Sequence, residues 1–236
     1  MEKAVKYDVV VIGAGAAGFM CAIEAGKRGK SVCLIDHSTK IAEKIRISGG
    51  GRCNFTNLNT NPSCFLSNNK NFCKSALSQY TQFDFIELVD RYKIKFHEKK
   101  LGQLFCDNSS NEIINMLLSE TRKYNVTLKM NTKVEKINCL SKAYEIKIKD
   151  IVIQCKSLVI ASGGLSIPKI GASAFGYDIA SQFNINIIKT SPGLVPLQFD
   201  QDLLTGFSKL SGLSVNANIS MGKITFEDDL LFTHKG

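Results

Sequence analysis

The chain has 236 residues, of which 44% are hydrophobic and 22% are charged, and its formal net charge at neutral pH is +9. This composition is typical of folded globular proteins, and it excludes collagen-like, low-complexity and disordered chains. The length suffices for one large domain, or for one domain and part of a second.

Charge pattern and cysteine spacing narrow the function classes further. The lysines are scattered without a run of five like charges, which argues against a dedicated nucleic-acid-binding protein. The longest uncharged apolar stretch, residues 9–23, contains glycines and is shorter than the ~20 residues of a membrane span. The eight cysteines lack the C-x-x-C spacing of zinc and redox sites. We therefore expect a cytoplasmic protein with reduced thiols, no metal site and no membrane association.

The first 36 residues have the pattern of a βαβ unit. Residues 7–12 form a continuous apolar run, which is typical of a strand buried on both faces. Residues 19–27 favour a helix, and residues 30–36 predict a second strand. Between the first strand and the helix, residues 13–18 read G-A-G-A-A-G, the fingerprint of dinucleotide-binding folds.

Each residue type in this unit suits a dinucleotide. Gly13 allows a tight turn, Gly15 lets the backbone approach a pyrophosphate, and Gly18 lets the helix pack closely on the strand. The N-terminus of the helix offers free N–H groups to the phosphates. Asp36, 18 residues after Gly18, is placed to accept hydrogen bonds from an adenosine ribose. The alternative is a glycine-rich packing turn without a ligand.

The next segment, residues 44–57, combines three cations, three consecutive glycines and several amide and hydroxyl side chains. A loop of this kind can fold closely over an extended anionic cofactor, because glycines expose backbone N–H groups where side chains would clash. A solvated surface loop is the alternative. The fingerprint itself does not choose between NAD and FAD.

The remaining chain predicts packing elements and one more site feature. Apolar residues at helical spacing predict helices within residues 72–80, 83–92 and 113–124. Alternating residues predict strands over 126–130, 132–137, 143–148 and 151–155, of which the last two form a hairpin. Residues 157–164 predict a separate buried strand that ends in glycine, and thus a second cofactor contact at the same sheet edge.

Six segments, in this order, resemble the bacterial BaiN/YhiN-like flavoprotein family, whose members are described as NAD(P)/FAD-dependent oxidoreductases or as aminoacetone oxidase family FAD-binding enzymes. They are residues 8–36, 48–57, 102–105, 161–168, 192–197 and 231–236. The stretch G-G-G-R-C-N-F-T-N at 49–57 is far more specific than the glycine fingerprint. The resemblance therefore favours FAD over NAD as the cofactor.

The resemblance implies an α/β fold, with a glutathione-reductase-like Rossmann FAD-binding domain over residues 1–191 and the start of an inserted mostly-β domain over residues 192–236. It assigns no catalytic residue. The residues expected to hold the cofactor are Gly13, Gly15, Ala16, Ala17, Gly18, Asp36, Lys44, Arg46, Gly50, Gly51, Arg52, Cys53, Asn54, Val134, Ala161, Gly163 and Gly164.

The implied activity is that of an FAD-dependent oxidoreductase acting on an unidentified small molecule, with a nicotinamide or oxygen as the second redox partner. Family members continue beyond this length with a glycine-rich return segment, so we expect a truncated or split member. In that case the chain is a non-catalytic nucleotide-binding fragment, or one that needs a complementing C-terminal polypeptide. A third alternative, suggested by the basic charge, is an RNA-modifying flavoprotein.

One cysteine and three histidines are further candidates for chemistry. Cys53, beside Arg52 in the glycine loop, is either a low-pKa thiol near the flavin or a small structural cysteine, and we expect the second. His37, His97 and His234 share no ligand spacing with cysteines or acids, so we expect them to be surface or packing residues.

Overall fold

A computed structural model of the chain describes residues 4–167, 171–193 and 195–233. The motifs at 161–168, 192–197 and 231–236 thus lie partly outside the described residues, and so does His234. The chain divides into two compact units, Met1–Ile187 and Ile188–Gly236.

The first unit contains nine strands and six helices among its described residues. The strands are β1 (Val5–Ile12), β2 (Val32–Ile35), β3 (Asn54–Asn57), β4 (Phe96–Glu98), β5 (Gln103–Cys106), β6 (Thr127–Lys129), β7 (Lys136–Cys139), β8 (Tyr144–Ile148) and β9 (Ile151–Ile160). The helices are α1 (Ala16–Lys27), α2 (Glu43–Ile47), α3 (Lys74–Gln79), α4 (Gln82–Arg91), α5 (Asn111–Lys123) and α6 (Phe175–Gln182).

The largest sheet has the strand order β6-β2-β1-β9-β8-β7. Its first four strands are parallel to their neighbours, whereas β7, β8 and β9 pair antiparallel. β1 lies between β2 and β9, so the chain leaves β1 toward one side of the sheet and returns much later on the other. Ligands bind at such a switch point in open α/β sheets, outside the carboxyl ends of the strands.

The apolar run of β1 is explained by a core on each face of the sheet. Val11 packs with Phe19 and Ile23 of α1 and with residues of α5, whereas Val10 packs with residues of β7, β8 and β9 on the opposite face. Successive side chains of a strand point to opposite faces, so both sets must be apolar when both faces are covered. The predicted Rossmann-like α/β fold is thereby confirmed.

Residues 44–57 are not a continuous loop. They form α2, a 3-10 turn over Ser48–Gly51, and β3, which joins β5 and β4 in a three-stranded antiparallel sheet. Gly49 and Gly50 have φ angles of 58° and 65° inside this turn, a left-handed backbone that glycine adopts without strain. The short strands β4 and β5 were not predicted, because three or four residues carry too little alternation to be recognised.

Two further strand predictions are corrected. The predicted strands at 151–155 and 157–164 are one ten-residue strand, β9, which pairs with β8 over residues 151–155 and with β1 over residues 153–160. The predicted strand at 132–137 begins only at Lys136, and the residues before it form a loop. The predicted hairpin between β8 and β9 is present.

The second unit contains helix α7 (Gln201–Phe207) and the antiparallel hairpin of β10 (Ser214–Met221) and β11 (Ile224–Leu231) among its described residues. The rings of Phe199, Phe207 and Phe232 pack together, with centroids 5.2 to 6.2 Å apart. Over the described parts of both units, no helix has the length and apolar character needed to cross a membrane.

Candidate functional site

The carboxyl ends of three parallel strands meet at one edge of the large sheet. Ile12 of β1 is in register with Ile35 of β2 and with Ile160 of β9. The strands are joined just past their ends, since the Gly13 amide donates to the Ile35 carbonyl and the Ala161 amide to the Ile12 carbonyl, each at 2.7 Å. The two predicted strand-to-glycine turns are therefore neighbours.

The fingerprint glycines differ in what surrounds them. A Cβ on Gly13, whose φ is +113°, would overlap the Ala161 carbonyl, and a Cβ on Gly18 would overlap the Gly13 carbonyl. These two glycines allow close backbone packing. Gly15 has no protein atom within 4 Å of the position of a Cβ, so its open side faces free space at the start of α1.

Helix α1 begins at Ala16, directly after this open glycine. Its N-cap is Gly15, which offers no side chain to the first N–H groups, and its first turn contains no acidic residue. The first amides of a helix have no partner within the helix and carry a partial positive charge. The N-terminus of α1, which includes Ala16 and Ala17, thus presents donors toward an anion.

Asp36 holds the glycine turn through hydrogen bonds and also borders two cavities. One carboxylate oxygen accepts a hydrogen bond from the Ala14 amide at 2.6 Å, and the other accepts one from the Ser38 amide at 2.8 Å. The side chain is only 15% exposed, and it borders two of the cavities described next. A carboxylate accepts more than two hydrogen bonds, so Asp36 retains acceptor capacity for a ligand.

Three cavities follow one another along this edge. The strand-end cavity, of about 340 Å³, is lined by Val134 and Phe175 and shares Gly13, Asp36 and Ser162 with the next. The helix-end cavity, of about 210 Å³, is lined by residues 13–17 and by Ala161 and Gly163. The loop cavity, of about 220 Å³, shares Ala16, Lys44 and Ile45 with the helix-end cavity and reaches Cys53 and Asn54.

The two cations of α2 have different surroundings. Lys44 lines two of the cavities, and its Nζ donates to the Ser166 hydroxyl at 2.9 Å, which ties α2 to the segment after β9. Arg46 is directed to Asn111 at the start of α5, to which it donates at 2.7 Å, and it does not line the three cavities. Its Nε is buried without a hydrogen-bond partner in the described structure.

The glycine turn brings Cys53 and Asn54 to the end of the loop cavity. Gly50 and Gly51 lie in the turn itself, and Arg52 is exposed beside it. Cys53 is 4% exposed, and burial raises the pKa of its thiol. This direction favours the structural interpretation of Cys53 over a low-pKa thiol, because an apolar setting disfavours the thiolate.

Several lining residues were missed by the sequence analysis. His37 and Ser162 line both the strand-end and the helix-end cavity, and the Ser162 hydroxyl is buried without a partner in the described structure. Phe175 of α6 lines the strand-end cavity together with Val134. His37 had a usable signal, its place directly after Asp36, whereas nothing in the local sequence marks Phe175.

Several residues lie outside the three cavities. Among the residues expected to hold the cofactor, the ones that line none of these cavities also include Gly18, Gly50, Gly51, Arg52 and Gly164. His97 lies elsewhere, on β4, where its ring contacts Asp107 at 2.7 Å and stacks on Phe105. Among the residues that the structure describes, no group of three or more histidines, cysteines or acidic residues is placed to hold a metal ion.

Comparison with known proteins places the chain in a family. Residues 7–223 match the sequence profile of the HI0933-like protein Rossmann domain. The chain is 47% identical, over 232 residues, to the ribosomal RNA dihydrouridine synthase of Escherichia coli, covering 98% of this chain and 58% of that protein. It is 44% identical to the ribosomal RNA dihydrouridine synthase of Haemophilus influenzae over 96% of this chain and 58% of that protein. The chain thus spans a little over half the length of these curated relatives.

More distant similarities extend over the same region. The 3-dehydro-bile acid delta(4,6)-reductase of Clostridium scindens is 23% identical over 93% of this chain and 54% of its own length. Among solved structures, Thermovibrio ammonificans THI4 aligns with a TM-score of 0.49 and 14% identity over 74% of this chain and 62% of its own. On the profile match and the two identities above 40%, this chain belongs to the HI0933-like protein family and contains its Rossmann domain.

Proposed function

We propose that the chain is the FAD-binding part of a flavin-dependent reductase. The observation that carries this proposal is the row of three connected cavities along the carboxyl ends of β1, β2 and β9. An extended dinucleotide needs such a row, with room for a base at one end, anion donors in the middle and a second ring system at the other end. The open side of Gly15 lies at the middle position.

The residues present fit the parts of FAD in order. Val134 and Phe175 would border the adenine, and Asp36 the ribose. The N–H groups of Gly15, Ala16 and Ala17 would hold the pyrophosphate, because the start of α1 offers uncapped donors. Lys44, Cys53 and Asn54 would line the flavin end, beside Ala161 and Gly163 at the close of β9. FAD, once reduced, supplies a hydride equivalent, and the protein supplies the position of the substrate.

The substrate class follows from the chemistry that two relatives' names share. Dihydrouridine is uridine whose ring double bond, conjugated to a carbonyl, has been reduced, and a 3-dehydro-bile acid delta(4,6)-reductase acts on double bonds conjugated to a ketone. We infer that this chain belongs to a reductase of carbon–carbon double bonds conjugated to a carbonyl. The identities of 47% and 44%, against 23%, favour uridine in ribosomal RNA as the acceptor over a small molecule.

Flavin content tests the cofactor part of the proposal. A Cβ at Gly15 has no protein atom within 4 Å, so Gly15→Val projects into the open side of the groove. The variant should fold but purify with much less FAD. Gly206→Val, at a helix position that is equally free of neighbours, is the matched control and should leave the flavin content unchanged. Released chromophore is measured by absorbance after denaturation. Equal FAD in wild type and Gly15→Val would refute the assignment of the site.

Ribosomal RNA composition tests the substrate part. Deleting the gene in its own organism should abolish one dihydrouridine in ribosomal RNA, detected by mass spectrometry of nuclease digests. The wild-type gene should restore it, and the Gly15→Val gene should not. An unchanged dihydrouridine content after deletion would exclude the RNA substrate and favour a small conjugated ketone.

A further inference from the structure

A fourth cavity, which we call the lysine pocket, lies outside the proposed FAD groove. It has a volume of about 470 Å³, larger than each of the three groove cavities. The cations in its lining are Lys129 at the end of β6, Lys133 in the following loop, and Lys149 in the turn between β8 and β9. Two nearby segments, residues 129–135 and 148–153, thus bring three lysines to one concave surface.

The positive charge of this pocket is not balanced locally. The acidic residue in its lining is Glu135, which already lies 3.9 Å from the Lys147 ammonium. In the part of the chain that the structure describes, Lys129, Lys133 and Lys149 have no carboxylate within 4.0 Å. Lys136 and Lys147 also face each other across β7 and β8, and like charges in that position destabilise a strand pair.

An apolar floor strengthens the effect of these charges. Three isoleucines also line the pocket, at positions 148, 151 and 153. Ile148 and Ile153 are buried. The three lysines outnumber Glu135 in the lining. A cleft in which one sign of charge predominates over a low-dielectric wall focuses the electric field and concentrates counter-ions. The lysine pocket is therefore suited to phosphate groups.

The position of the pocket indicates a long ligand. The lysine pocket shares Thr132 and Lys133 with the strand-end cavity. The strand-end cavity is one end of the row of three cavities, and the loop cavity with Asn54 is the other end. A small substrate at the proposed flavin end would not extend to this pocket along the whole row of cavities. A polymer with a phosphate at every unit has the charge and the length to do so.

We propose that the lysine pocket binds the phosphodiester backbone of the RNA substrate at a distance from the reacting base. This inference rests on the proposed function and adds the surface by which the substrate docks. Contacts to phosphates position an RNA without reading its sequence, so the pocket contributes affinity and salt dependence rather than the choice of uridine.

The test is the salt dependence of RNA binding, measured by fluorescence anisotropy with a labelled oligouridine probe. Loss of three phosphate contacts in Lys129→Gln, Lys133→Gln, Lys149→Gln should lower the slope of log K against log salt by about 2 and weaken binding about tenfold at low salt. The triple Lys→Arg variant at the same positions keeps the charge and should bind like wild type.

A control removes the same charge elsewhere. Lys30, Lys70 and Lys93 are exposed, form no ion pair with the residues that the structure describes, and lie outside the lining of the pocket. Their triple Gln variant should retain the wild-type slope. Equal slopes for the pocket and control variants, or no binding by the wild type at low salt, would overturn the proposal. Flavin content, measured on the same samples, reports separately on the proposed function.

Discussion

The glycines of the fingerprint have different structural roles, although the motif gives them as the same residue. Gly18 is needed by the fold, since a Cβ there would overlap the Gly13 carbonyl, whereas the open side of Gly15 is available to a ligand. We expect Gly18→Ala to lower the free energy of unfolding by about 1–3 kcal/mol, the usual range for overpacking. Gly15→Ala should leave it nearly unchanged. Urea unfolding of both variants without FAD checks this, and equal losses would contradict the assignment.

A second prediction at the residue scale concerns the buried hydrogen bond between Tyr92 and Glu120. The Tyr92 hydroxyl donates to Glu120 at 2.7 Å, and Glu120 is 3% exposed. Burial, together with this bond, raises the pKa of Tyr92 to about 12 from 10.0. Because the folded state holds the phenol proton more tightly, the stabilisation is present below pH 10 and is lost as the pH rises toward 12.

The variant Tyr92→Phe leaves the Glu120 carboxylate without this donor. We expect it to lower the free energy of unfolding at neutral pH by about 1–3 kcal/mol, the cost of an unsatisfied buried polar group. The variant should also lose less stability than the wild type between pH 10 and pH 12. Urea unfolding across this range measures both effects, and parallel curves would show that Tyr92 does not titrate with unfolding.

At the scale of elements, helix α4 has its own start signal. The Thr81 hydroxyl accepts a hydrogen bond from the Asp84 amide, and the Asp84 carboxylate accepts one from the Thr81 amide, which together form a capping box. Thr81→Ala should lower the free energy of unfolding by about 1 kcal/mol. A double-mutant cycle with Asp84→Ala should be non-additive, since each change removes part of one reciprocal pair. Strict additivity would mean that the two bonds act independently.

The helices α4 and α5 and the strand β9 show where local sequence patterns predict an element correctly and where they do not. Helices α4 and α5 were predicted because their apolar residues recur at helical spacing over three turns or so. The break predicted within β9 was wrong because Lys156 and Ser157 interrupt the apolar run, although the backbone continues to pair with β1 through Ser157. Lys156 is exposed and its Nζ lies 2.9 Å from Asp8 of β1, so the polar residue stabilises the strand pair rather than ending the strand.

For the whole molecule, cofactor binding should be visible as stability. A ligand that binds only the folded state adds RT ln(1 + [L]/Kd), which is about 2.7 kcal/mol at a hundredfold excess over Kd. We expect the Tm of the flavin-free chain to rise with FAD concentration and to rise less in Asp36→Ala. That variant removes both the proposed ribose acceptor and the bonds to Ala14 and Ser38, so its own Tm without FAD is the control. A Tm that is independent of FAD would contradict the proposed cofactor.

The sequence by itself determined the βαβ unit, the packing role of Gly18, and the position of Asp36 at the end of a strand. These features lie within residues 5–36, where Gly18 packs against Gly13 and Asp36 accepts a hydrogen bond from the Ala14 amide. Only the tertiary structure decided the walls of the groove and the lysine pocket. Lys44 contacts Ser166 across 122 positions, and Phe175 and Val134 line one cavity, because the sheet order places β9 beside β1. Local periodicity reports which face of an element is buried, but the partners that cover that face are chosen by strand order, which is a property of the whole fold.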